Sequence, residues 1–160
     1  MSPEYLAGFF DGEGCVNINV RGEVRQVCLR CDLVNTDLDH LKEVQRHFGG
    51  HVHQRPFKDK PNWKPFCSIT WHGRYAADLL RKLQPYLRLK TRQAALALEF
   101  FDFMQLPKDQ RCDLKRSPEP KMRNGMRVQW VRKPETLRRE LDYKARMHVL
   151  NRKGIAHAQL

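Results

Sequence analysis

The order in which two hydrophobic periodicities alternate constrains this chain's fold more than any other feature. Ser2 suits a helix N-cap, Pro3 the first helical position and Glu4 the first turn. The helix so opened runs through Tyr5 to Asp11 and ends at the Gly12-Glu13-Gly14 punctuation. Two segments of period two follow. Val16, Ile18 and Val20 alternate with Asn17, Asn19 and Arg21, and Arg21-Gly22-Glu23 reads as a turn. Val27, Leu29, Cys31 and Leu33 then alternate with Gln26, Cys28, Arg30 and Asp32. This is the pattern of a hairpin with one buried and one polar face.

The pattern then repeats. Leu38, Leu41, Val44 and Phe48 recur at helical spacing from Asp37 onward, with Gly49-Gly50 as the stop. Strands are expected at 51–55 and 66–72, separated by a Pro- and Lys-rich loop; Cys67, Ile69 and Trp71 should be buried and Ser68, Thr70 and His72 exposed. Ala76, Leu79, Leu80 and Leu83 mark a helix over 74–83. Residues 3–83 therefore read αββαββα, an α+β fold in which two αββ halves share a four-stranded antiparallel sheet.

Beyond Pro85 a helix is expected over 90–104, burying Ala94, Ala95, Leu98 and Phe101. Residues 107–133 lack periodicity and read as a loop with one short helix. A last helix, 135–151, places Leu137, Leu141, Ala145 and Val149 on one stripe. The 160 residues form one domain, with its core in 3–105 and a basic loop and helical region in 106–160.

Charge points to a partner. The net charge is +12, and its distribution is uneven. Residues 1–80 hold ten Lys/Arg and ten Asp/Glu, whereas 81–160 hold twenty and eight. A basic region of this kind favours a polyanion such as nucleic acid over a uniform solubilising coat. No apolar run approaches the roughly 20 residues of a membrane span, and Met1-Ser2-Pro3-Glu4 lacks the basic start of a targeting signal. No membrane partner is expected. The five cysteines, an odd number without a secretory signal, argue against a disulfide framework. Cys28-x-x-Cys31 and His51-x-His53 have zinc-like spacing, but Cys28 and Cys31 fall on opposite faces of a strand, where two thiolates cannot converge.

Leu6-Ala7-Gly8-Phe9-Phe10-Asp11-Gly12-Glu13-Gly14 resembles the motif that names the LAGLIDADG homing endonuclease family. The first three residues, the acid at position six and the closing acid–Gly pair agree. Phe9 and Phe10 replace Leu-Ile, Gly12 replaces Ala, and Glu13 replaces the second Asp. The αββαββα order downstream is also that family's fold. Gly8 and Gly12, four apart, lie on one helix face and permit close approach of another backbone. The family pairs two such helices about a dyad, and this chain has one copy. The resemblance thus implies a homodimer with Leu6, Gly8, Phe9 and Gly12 in its interface.

It further implies that Glu13, helped by the Gly12 carbonyl, holds Mg2+ or Mn2+, with Ca2+ as a non-catalytic substitute, and that Asp11 braces the paired helices outside the metal site. Lys90, in the segment Lys82 to Ala94 that resembles the family's approach to its long helix, is the basic residue at the cleavage centre. Asn35 falls where the family often has a Gln touching active-site solvent. Leu150-Asn151-Arg152-Lys153-Gly154 also looks family-like, with Arg152 and Lys153 on phosphates. The resemblance covers 3–105 well and 135–154 loosely.

The polar faces of the strands supply an outward row: Asn17, Asn19, Arg21, Gln26, Cys28, Arg30, Asp32, His51, His53, Arg55, Ser68 and Thr70. Asn and Gln suit adenine, Arg guanine and Asp cytosine, and a two-stranded ribbon fits the major groove of double-stranded DNA. The Lys/Arg excess would contact phosphates. The expected activity is metal-dependent cleavage of both strands at a long pseudo-palindromic site, in whichever compartment holds the host DNA. No splicing residues flank the motif, so a free-standing, intron-encoded origin is expected. The alternatives are an intron maturase that binds RNA and a DNA-binding protein that does not cut; Glu13 and Lys90 favour the enzyme over both.

Overall fold

The computed structural model describes residues 1–21, 26–55, 66–116 and 128–152. Helix α1 (Pro3–Glu13) is capped as its sequence demands, the Tyr5 N–H donating to Ser2 Oγ at 3.3 Å. It leads into β1 (Gly14–Arg21) and β2 (Gln26–Asn35). Asp37 caps α2 (Leu38–Phe48) by accepting from the His40 N–H, and Gly49 ends the helix at φ 68°. Gly50, at φ 98°, lies where a Cβ would sit 2.8 Å from the Trp71 ring, so both conformation and space exclude a side chain. Strands β3 (His51–Arg55) and β4 (Phe66–His72) and helix α3 (Arg74–Leu83) complete the second half.

The four strands form one antiparallel sheet in the order β1-β2-β4-β3. The two halves therefore meet through β2 and β4, and the register aligns Arg30 with His72 and Asp32 with Thr70. One face is the core. Val16, Ile18, Leu29, Cys31, Leu33, Cys67, Ile69 and Trp71 are buried there beneath Leu6 and Phe10 of α1, Leu41 and Val44 of α2, and Leu79, Leu80 and Leu83 of α3. Each large apolar side chain so buried contributes about 1.5–3 kcal/mol, and this supports the sheet as a platform for its opposite, polar face.

Helix α4 (Thr91–Gln105) buries Ala94, Leu96, Ala97, Leu98, Phe100 and Phe103. Ala95, expected inside, is exposed, and Phe101 is only half-buried. The greater departure lies beyond. Residues 107–133, read as a loop with one short helix, contain that helix, α5 (Lys108–Arg111), and also an antiparallel hairpin of β5 (Cys112–Arg116) and β6 (Val128–Arg132).

Helix α6 (Pro134–Leu150) packs on α4 and β1, but through a stripe other than the expected one. Thr136, Glu140, Tyr143 and Met147 are buried, whereas Leu141 and Val149 are 37% and 40% exposed. Tyr143 explains the rotation: its ring packs against Phe100 and Phe103, and its hydroxyl donates to Glu99 Oε1 at 2.8 Å. Arg132 of β6 pairs with the fully buried Glu140 at 3.1 Å, tying the hairpin to this helix. Among the described residues no helix is long and apolar enough to cross a membrane.

Candidate functional site

At the C-terminal end of α1 three features converge. Asp11 is buried, and its carboxylate accepts from the backbone N–H groups of Arg88 (2.7 Å), Leu89 (3.2 Å) and Lys90 (3.0 Å). It thus fixes the turn that precedes α4, a brace made within this chain. That turn delivers the Lys90 ammonium onto the Asp11 carbonyl oxygen, two residues from Glu13. Glu13 itself is exposed at the last position of α1, and its carboxylate has no hydrogen bond or ion pair among the described residues.

Asn35 reaches the same end of the sheet. Gly14 pairs with Leu33, so β2 continues two residues past the start of β1 to the level of Gly12 and Glu13. Its Oδ1 accepts from the Asp37 N–H at 2.8 Å, so the side chain also shapes the entry to α2.

On α1, an ideal Cβ built at Gly8 or Gly12 meets nothing within 4 Å among the described residues. Both glycines are exposed, so the protomer itself gives no reason for their lack of side chains. Phe9 beside them is half-buried, with its ring edge-on to His40 at 5.0 Å. Leu6 departs from expectation: it is fully buried in the protomer core and offers no interface surface. On a helix, position 6 lies opposite the face shared by 8 and 12.

The sheet's polar face forms a grid. Across the strands, Asn17 aligns with Arg30 and then His72, while Cys15 aligns with Asp32, Thr70 and His51. Asn19 aligns with Cys28, and Ser68 with His53. His51 and His53 are exposed; Asn17, Asn19, Cys28, Arg30, Asp32 and Ser68 are half-buried. Arg30, Asp32, Val34, His53, Phe66, Ser68, Thr70 and His72 line a depression of about 300 Å3.

Thr70, expected to be exposed, is 2% exposed, because its hydroxyl donates to Asp32 Oδ1 at 2.8 Å. The same oxygen accepts from Arg30 Nε (2.8 Å) and Nη2 (2.6 Å), and this bond holds the guanidinium pKa above its ordinary value. Arg21, Gln26 and Arg55 hold the expected strand positions, but their side chains, like the whole of Lys153, lie outside the described residues. Cys28 and Cys31 do lie on opposite faces, and burial pushes the Cys31 thiol well above its usual pKa.

Asn151 is a residue to which sequence assigned no role. Its amide donates to the Val16 carbonyl at 2.8 Å and to Asn17 Oδ1 at 3.1 Å, bringing the end of α6 to the edge of the polar face. The exposed Arg152 follows directly. A contact spanning 135 residues leaves no local signature, so only the tertiary structure discloses it.

The site is thus a polar sheet face with a carboxylate and an ammonium at one end. No protein-family model and no curated protein matches the sequence, but solved structures match the fold. The homing endonuclease I-CvuI, crystallised with a DNA target in the presence of Mg, superimposes with a TM-score of 0.66 at 24% identity, over 96% of this chain and 85% of its own. The archaeal intron-encoded homing endonuclease I-Vdi141I, complexed with DNA, gives 0.66 at 12% identity, over 98% and 88%. The LAGLIDADG meganuclease I-AabMI, bound to uncleaved DNA, gives 0.62 at 18% identity; this chain spans 44% of it. The architecture is the LAGLIDADG homing endonuclease fold.

Proposed function

We propose that this chain is a site-specific DNA endonuclease of the homing type, working as a homodimer on a long pseudo-palindromic duplex. The observation that carries the reading is the arrival of Lys90 at the Asp11 carbonyl, two residues from a carboxylate with no partner among the described residues.

The donor set fits a hard divalent cation. Glu13 supplies carboxylate oxygens and Gly12 a backbone carbonyl, the ligand types that Mg2+, Mn2+ and Ca2+ take. Among the described residues no group of three His, Cys, Asp or Glu converges within one protomer. In this reading the dyad-related Glu13 completes the site, and pairing α1 through Gly8 and Gly12 supplies it. A bound divalent cation supplies charge neutralisation at the leaving oxygen and a more acidic water. Lys90 places its side-chain nitrogen where the scissile phosphate gains negative charge, and Asp11 holds it there through the backbone of residues 88–90. The sheet's polar face reads bases in the major groove, and Arg152 with the basic second half grips phosphates.

The test uses the purified chain, duplex from its own gene's intron-lacking insertion locus, and Mg2+ or EDTA, with Glu13→Gln alongside. The expected result is a discrete double-strand cut that needs both the metal and Glu13, with Glu13→Gln still binding. Specific binding with no cut under any divalent metal would overturn the enzymatic reading.

A further inference from the structure

Asp32 does something other than what its residue type suggests. A carboxylate on a DNA-facing sheet is suited to accept from cytosine N4, yet here Oδ1 already accepts three hydrogen bonds, from Arg30 Nε, Arg30 Nη2 and Thr70 Oγ1. The side chain of Asp32 is only 15% exposed, against 39% for Arg30. What reaches outward is the guanidinium.

The geometry of a guanidinium sets the consequence. Its five N–H donors lie in one plane, and Asp32 occupies the edge formed by Nε and Nη2. The edge formed by Nη1 and the second Nη2 hydrogen points away from the carboxylate, and that fork matches the O6 and N7 acceptors of guanine. Thr70, buried on β4, fixes the carboxylate from the neighbouring strand, so the orientation of Arg30 is set before any partner arrives. The flanking Asn17 is likewise tied down, by Asn151 and Cys15.

Resting on the DNA-binding reading above, we propose that Asp32 is a positioning residue which, held by Thr70, presents Arg30 to a guanine in the major groove. Each protomer then selects one G·C pair, and the paired protomers select two such pairs related by the dyad. Asp32 reads no base itself.

The test is a binding selection from a random duplex library with the full chain in Ca2+, followed by affinities for enriched sites with every base tried at each position. Wild type should enrich a guanine at one position of each half-site. That preference should fall about tenfold in Arg30→Ala and in Asp32→Ala, and the double variant should lose no more than either single one. Thr70→Val should weaken the same position, and Thr70→Ser should keep it. Melting curves establish that each variant is folded, and Asp32→Asn serves if Asp32→Ala is not. A change at a separate cytosine position in the Asp32 variants would make Asp32 a base reader and overturn the proposal. Equal weakening for every site, with the base preference intact, would make the cluster merely structural and overturn it as well. If wild type enriches no duplex at all, the DNA-binding reading falls and this proposal with it.

Discussion

One carboxylate at residue 11 holds three backbone N–H groups that no helix or strand would otherwise satisfy. Hydrogen bonds to a buried carboxylate contribute about 1.5–3 kcal/mol each, so Asp11→Ala should lose about 2–4 kcal/mol in urea unfolding. Asp11→Asn, which keeps one acceptor oxygen, should lose less. Equal stability in all three proteins would remove the bracing role. Glu140 gives a pH-dependent counterpart. Burial raises its pKa above the unfolded value, with Arg132 and Arg111 opposing. The folded state therefore favours the protonated form, and this contribution to stability is lost as pH rises through the raised pKa. Glu140→Gln should therefore lose less melting temperature than wild type as pH rises above the ordinary carboxylate range; parallel curves would contradict this. Asp11 is legible as structural only through the motif, and nothing in the sequence marks Glu140, which lies off the stripe that the apolar residues of its helix suggest.

Among the elements, the first five are read from sequence nearly to the residue, because each carries a clean period and its own stop: Ser2, Asp37 and Gly49 act as their types predict. The hairpin of β5 and β6 was hidden because it forms a sheet of its own rather than joining the core. A two-stranded ribbon outside the core needs no strict apolar alternation. Helix α6 was found but misoriented, since the residues that face inward include Thr136 and Glu140. Helix α1 yields the test that belongs to this scale. A Cβ at Gly8 meets nothing in the protomer, so Gly8→Ala should stabilise an isolated protomer by about 1 kcal/mol through helix propensity. Gly8→Leu should preserve the fold and abolish pairing. Sedimentation gives the assembly state and thermal melting the fold; a dimer that persists in Gly8→Leu would move the interface elsewhere.

For the whole molecule, the charge asymmetry becomes a measurable slope. If the chain binds DNA as proposed, a net charge of +12 concentrated beyond residue 80 serves many phosphate contacts, and affinity for any duplex should fall about a thousandfold between 50 and 200 mM salt. A nearly flat response would mean that phosphates are little used. The bare helix face at Gly8 and Gly12 has a kinetic corollary. If one carboxylate per protomer completes the centre only when two protomers meet, cutting at low protein should rise with the square of concentration. Such an enzyme is silent when scarce: a few stray copies leave a chromosome intact, and a modest rise in expression arms it.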